Sequence, residues 1–185
     1  MAETVYNPMQ TVKRRFFAMR NGVIAEVLRK AGSPFRIIFG LNLPQIVDIA
    51  RGIGRDPELG RALWANSTTR ESMLLAPMLM EPAEFTRAEA RSWAESVGAV
   101  EVADILCHRL LRHVPYAAEM GAELADSTDA MQRYLGARLM MNIVGQYPGA
   151  AKAVAEKVAA AANPLTDRLA AMLAEEARFY LDDQQ

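Results

Sequence analysis

The sequence predicts an all-α fold in which antiparallel helix pairs stack into a right-handed α–α superhelix. Apolar residues recur at helical rather than alternating spacing in nearly every segment longer than about ten residues. Pro and Gly fall between those segments, where they open or close helices. From residue 56 onward the segments come in pairs whose first members begin roughly 30 residues apart. Such a pair cannot bury its apolar faces alone, so successive pairs stack. A compact bundle is the competing all-α arrangement; the recurring pair length favours the superhelix.

The elements follow in order. A first long helix is expected from Asn7 to Lys30, ended by Gly32-Ser33-Pro34. Asn42 is a candidate N-cap, with Pro44 in the first turn of a helix reaching Arg51. Asp56-Pro57 repeats the device, because a proline loses nothing where its N–H would be unpaired anyway. Residues 1–55 thus form N-terminal helices and residues 56–185 about four pairs, all in one domain of 185 residues. The pairs are 57–65 with 69–79, 87–97 with 100–111, 115–124 with 128–145, and 149–161 with 164–181. Thr68 with Glu71, and Thr86 with Glu89, have the spacing of reciprocal capping boxes. Asn163-Pro164 is read as opening the last helix.

With 51% hydrophobic and 23% charged residues, the composition supports a core and excludes disorder driven by charge. The single cysteine excludes a disulfide framework or a Cys-rich zinc site. No apolar run is long enough to span a bilayer, and the opening Met1-Ala-Glu-Thr is not a signal sequence. A soluble, cytoplasmic protein with no membrane partner is expected. The net charge of −1 hides an asymmetry: residues 1–70 hold eleven Lys/Arg against five Asp/Glu, residues 71–185 ten against seventeen. A basic front third suits a polyanion, although unequal solvated faces are also common in helical proteins.

On the helix around 100–111, Glu101, Asp104, His108 and Arg112 share one stripe with Ile105. Val102, Ala103, Leu106, Cys107, Leu110 and Leu111 cover the opposite arc. Asp104 and His108 are four apart and can pair, and a carboxylate there can place water or stabilise positive charge. The ordinary alternative is an exposed face of ion pairs. Cys107, His108 and His113 match no metal-site spacing, so no metal or other cofactor is expected. No phosphate-binding glycine loop or serine nucleophile elbow is present. Most of the eleven methionines sit at core spacing and read as gap-fillers. Trp64 reads as packed between repeats, whereas Trp93 lies nearer the polar stripe. Candidate nucleic-acid contacts are Lys13, Arg14, Arg15 and Arg20, then Arg109, Arg112, Arg133 and Arg138. Phe16, Phe17 and Tyr134 are interleaved aromatics suited to base stacking. Arginine outnumbers lysine seventeen to four, which suits bidentate phosphate contacts, although GC-rich coding produces the same bias.

The run Asp56-Pro-Glu-Leu-Gly-Arg-Ala-Leu-Trp64, followed by Arg70-Glu71 and Leu74-Leu75-Ala76, resembles the repeat of DNA alkylation repair proteins built from HEAT-like repeats. These are the bacterial alkylpurine DNA glycosylases and their relatives. Trp93-Ala-Glu-Ser-Val-Gly-Ala-Val-Glu-Val-Ala-Asp104 with Leu106-Cys107 is similar to a second segment of that family, and the likeness covers about residues 56–145. It implies a HEAT/armadillo-like solenoid that binds duplex DNA, including alkylated DNA, on a concave basic surface. It also implies a glycosylase in which Asp104 stabilises an oxocarbenium-like sugar. The family's arginine on the later helix falls on Arg138 or Arg133, and Trp93 joins the DNA contacts. Where the family carries a tryptophan four residues before the carboxylate, this chain has Val100. The alternative reading is a non-catalytic scaffold that binds a protein or a non-standard DNA structure.

Overall fold

The computed structural model describes residues 7–183; the opening Met1-Ala-Glu-Thr segment lies outside them. The described residues form eleven α-helices. Their one β-type pairing is a parallel bridge between Ile37 and Thr69. The chain divides into two compact units, one ending at Glu81 and the other starting at Pro82. Among the described residues no helix is long and apolar enough to cross a membrane.

The first unit holds α1 (Pro8–Ala18), α2 (Gly22–Lys30), α3 (Leu43–Ile53), α4 (Pro57–Ala65) and α5 (Arg70–Leu79). The single helix expected over 7–30 is two helices. Asn21 stops the first and caps the second, its side chain accepting the amides of Val23 and Ile24 at 3.1 Å each. Asn-Gly inside an apolar period is a boundary signal, because the Asn side chain competes for backbone amides. The α1 face carrying Val12 and Phe16 is buried, which turns Lys13, Arg14 and Arg15 outward. The Asn42 cap forms a reciprocal box with Gln45, and Asp56 caps α4 through the Leu59 amide at 3.0 Å.

The Thr68–Glu71 capping box is not formed. Helix α5 starts later, with Thr69 at its N-cap, and the Glu71 carboxylate is fully buried. It accepts the amides of Phe39 (3.0 Å), Gly40 (2.9 Å) and Leu41 (3.3 Å). Arg70 completes the knot, its Nη1 lying 2.9 Å from the Leu41 carbonyl and 3.1 Å from Glu71 Oε1. A buried charge is tolerable only with such full pairing. Gly40 is required at that loop: its φ is +81°, and a Cβ would collide with the Asn21 carbonyl and sit 2.8 Å from the Ala25 amide.

The second unit holds α6 (Arg87–Glu95), α7 (Val100–Arg109), α8 (Ala117–Ala125), α9 (Ala130–Ile143), α10 (Pro148–Ala160) and α11 (Asp167–Asp182). A 3₁₀ turn over Leu111–His113 ends the α7 segment. The Thr86–Glu89 box forms as the spacing predicts. The paired packing of α4 with α5, α8 with α9 and α10 with α11 also follows the periodicity. The remaining expected pair differs: the main partner of α7 is α9 rather than α6. The last helix begins at Asp167, because Asn163 spends its side chain on the Leu165 amide in a preceding turn.

Helices α8 and α9 approach closely at two glycines. A Cβ on Gly136 would lie 2.7 Å from the Gly121 carbonyl and 2.8 Å from the Ala125 amide. The buried face of α9 is Leu135, Gly136, Leu139, Met140 and Ile143, which leaves Tyr134 and Arg138 on a partly exposed face.

Candidate active site

The site is built on α7 and α9 of the second unit. Val102, Ala103, Leu106 and Cys107 of α7 are at most 1% exposed, so the helix is clamped by one arc. The opposite stripe of Glu101, Asp104, His108 and, beyond the helix, Arg112 stays partly accessible, as the spacing predicts. Tyr134 and Arg138, one turn apart on α9, both reach Asp104. The Tyr134 hydroxyl donates to Asp104 Oδ1 at 2.9 Å. Arg138 Nε lies 2.9 Å from the same oxygen, its N–H out of line, so the contact is an ion pair rather than an aligned hydrogen bond. The carboxylate side chain keeps 34% exposure and the guanidinium side chain 33%. Both contacts fall on the same carboxylate oxygen, and that of Arg138 is made through Nε.

Two expected neighbours of Asp104 differ in where their side chains lie. Arg138, not Arg133, meets Asp104: Arg133 Nη1 is held at 2.8 Å by the carbonyls of both Ser127 and Thr128, closing the loop before α9. The expected Asp104–His108 pair is replaced, because α9 supplies a stronger cation and a phenol to the carboxylate. His108 Nδ1 instead faces Arg112 Nη1 at 3.3 Å, and Arg112 Nε donates to His113 Nε2 at 3.0 Å.

The electrostatics follow from these contacts. Burial, then the hydrogen bond to Asp104, pushes the Tyr134 hydroxyl up to about 12, so at neutral pH it is a donor. Burial and the guanidinium groups of Arg112, Arg109 and Arg138 hold His108 below its ordinary range, against a smaller opposing effect of Asn142. It is therefore a neutral imidazole beside a basic cluster. Cys107 lies behind the carboxylate, its Sγ 3.5 Å from the Leu135 carbonyl, and burial raises its pKa far above the usual thiol range. It is an inert core residue.

Other expected contacts sort by burial. Trp93 is buried at 6% exposure, edge-on to Phe85 with centroids 5.0 Å apart, so it presents no face to a base. Its place on the apolar arc of a short helix, which Ala90 and Ala94 share, explains the difference from the expected polar stripe. Phe16 is fully buried against Phe39 and cannot stack on DNA either. Phe17 is 58% exposed, with the Arg20 guanidinium 3.9 Å above its ring. Lys13, Arg14, Arg15 and Arg20 are exposed on the first unit, and Arg109 and Arg112 are partly exposed near His108 on the second. Sequence reasoning took Tyr134 for a stacking ring and missed its hydrogen bond to Asp104. Its spacing of four from Arg138 was the available signal.

The all-helical fold with its packed helix pairs is that of a HEAT-like repeat protein, as the similar solved structure described below shows. The DNA alkylation repair enzyme family model matches residues 12–172, and the chain belongs to that family. A solved structure from a family of proteins related to the HEAT-like repeat DNA glycosylases, with affinity for branched DNA structures, is similar at a TM-score of 0.66 and 17% identity. The match covers 91% of this chain and 83% of that chain, and it shows the fold. A comparison with curated proteins returns no match.

Proposed function

We propose that the protein binds DNA and removes alkylated purines from it, with Asp104 as the carboxylate facing the deoxyribose. Alkylation at a ring nitrogen makes the purine cationic and a good leaving group. The C1′–N bond breaks with its electron pair leaving on the purine, which neutralises the base. Water then adds to C1′ and loses its proton to the medium. Between those events the sugar carries oxocarbenium-like positive charge, which a fixed carboxylate stabilises electrostatically. Tyr134 and Arg138 both hold Oδ1, which anchors a carboxylate whose side chain keeps 34% exposure. The Nη end of Arg138 suits a backbone phosphate beside the lesion. The observation that carries this reading is that accessible arrangement: a partly exposed carboxylate anchored through one oxygen, with the Arg138 guanidinium alongside.

The test is release of alkylpurines from methylated duplex DNA by the native protein and by Asp104→Asn. Native release above the spontaneous rate, reduced about a hundredfold or more in the variant, is expected. Release that survives the substitution unchanged contradicts the role of Asp104.

A second reading has its own support. Val100, at the start of α7 and 37% exposed, stands where the family carries a tryptophan, so a flat ring that attracts a cationic base is missing. A protein that recognises branched DNA without cutting a glycosidic bond fits that substitution and the affinity of the structural neighbour. Tight binding to a junction with no base release selects this reading.

A further inference from the structure

The first unit contains an open cavity of about 530 Å³ that the site on α7 and α9 does not use. Phe17 and Arg20 at the end of α1, Arg29 of α2, and Ile38 and Phe39 of the following loop line it. Its volume is in the range of small-ligand sites. Its chemistry is two-fold. Arg20 is held locally, with Nη1 donating to the Phe17 carbonyl at 2.8 Å and Cζ lying 3.9 Å from the centroid of the Phe17 ring. Arg29 also lines the cavity, with Nη2 3.4 Å from the Ile38 carbonyl. The remaining lining is aromatic and apolar, and Phe17 stays 58% exposed although nothing in the core needs it. Residues 7–39 hold seven Lys/Arg and one acidic residue, so the surroundings favour an anion.

Two guanidinium groups lining one cavity with an exposed ring, Phe17, and a half-buried one, Phe39, match a ligand that is a phosphate and a flat base together. We propose that this cavity binds an unpaired nucleotide of a DNA strand, its phosphate on Arg20 and Arg29 and its base against Phe17 and Phe39. The assignment rests on the DNA-binding reading above. It supplies what duplex binding alone does not: a place for the loose strand at a branch or flap.

The experiment uses the full chain and fluorescence anisotropy with one duplex, blunt or carrying a single-stranded flap. The flapped duplex is expected to bind about tenfold tighter. In the Arg20→Gln/Arg29→Gln protein that preference falls to less than about twofold by loss of the phosphate contacts. Phe17→Ser, at an exposed ring, gives the same loss if the double variant fails to fold in a circular-dichroism melt. The nucleotide dAMP displaces the flap, whereas inorganic phosphate at the same concentration does not. Equal competition by phosphate overturns the nucleotide site in favour of a plain anion site. Salt-sensitive duplex binding with no flap preference, or a preference that survives the substitutions, overturns this proposal alone. No DNA binding of any kind overturns the DNA-binding reading with it.

Discussion

Asp104 is held through one oxygen. Oδ1 meets both Tyr134 and Arg138, and the proposed mechanism has the carboxylate so fixed stabilise charge on the sugar. Tyr134→Phe removes one donor and keeps the ring. The expected outcome is a modest loss of base release, about tenfold or less, with duplex affinity unchanged; single-turnover kinetics measure it. His108 gives a pH signature of its own. Its pKa is lowered in the folded protein from 6.5, so between the two values the unfolded chain binds more protons. Its contribution to stability is therefore present above pH 6.5 and lost as pH falls toward the folded pKa. Melting temperatures between about pH 7.5 and 5 should fall less steeply in His108→Gln than in the native protein; parallel curves contradict this. The helical stripe of Glu101, Asp104 and His108 was legible, because burial of one arc follows directly from period. Which cation would meet the carboxylate was not legible. Arg133 and Arg138 are both plausible on α9 until the loop carbonyls of Ser127 and Thr128 claim one of them.

At the scale of elements, the site depends on how closely α9 lies against its neighbours. Gly136 sits between Tyr134 and Arg138 in sequence and against the Gly121 carbonyl in space. Gly136→Ala forces α8 and α9 apart and is expected to cost about 1–3 kcal/mol in a urea titration. Because Tyr134 and Arg138 travel with α9, base release should fall as well, although no substituted atom is near the carboxylate. In the first unit, Glu71→Ala leaves three loop amides and Arg70 without their buried carboxylate. A loss of about 3–5 kcal/mol is expected, and a loss under 1 kcal/mol would show that water replaces the carboxylate there. Caps based on Asn and Asp at 42 and 56 were readable because the signal is local, a side chain reaching its own helix. Glu71 misled for the opposite reason: capping-box spacing says nothing of a loop thirty residues away that needs the same carboxylate more. The break at Asn21 was hidden by an apolar period that continues through it.

For the whole molecule, a net charge of −1 is a poor guide to partners. The exposed cations of α1 belong to the first unit, and the carboxylate site belongs to the second. Duplex affinity should fall steeply with salt, and Lys13→Gln/Arg15→Gln should reduce the slope of log affinity against log salt by up to about 1.8. An unchanged slope would place the phosphate contacts elsewhere. Helical class was legible from periodicity over the whole chain, as were three of the four pairs expected from residue 56 onward; the packing of α7 on α9 was not, because sequence adjacency favours α6. The most direct test of an electrostatic role for Asp104 compares affinity for two duplexes. One carries a cationic pyrrolidine in place of a deoxyribose, and the other a neutral tetrahydrofuran of the same shape. The native protein should bind the cationic duplex at least about tenfold tighter, and Asp104→Asn should bind the two alike. Equal affinity of the native protein for both would contradict the account.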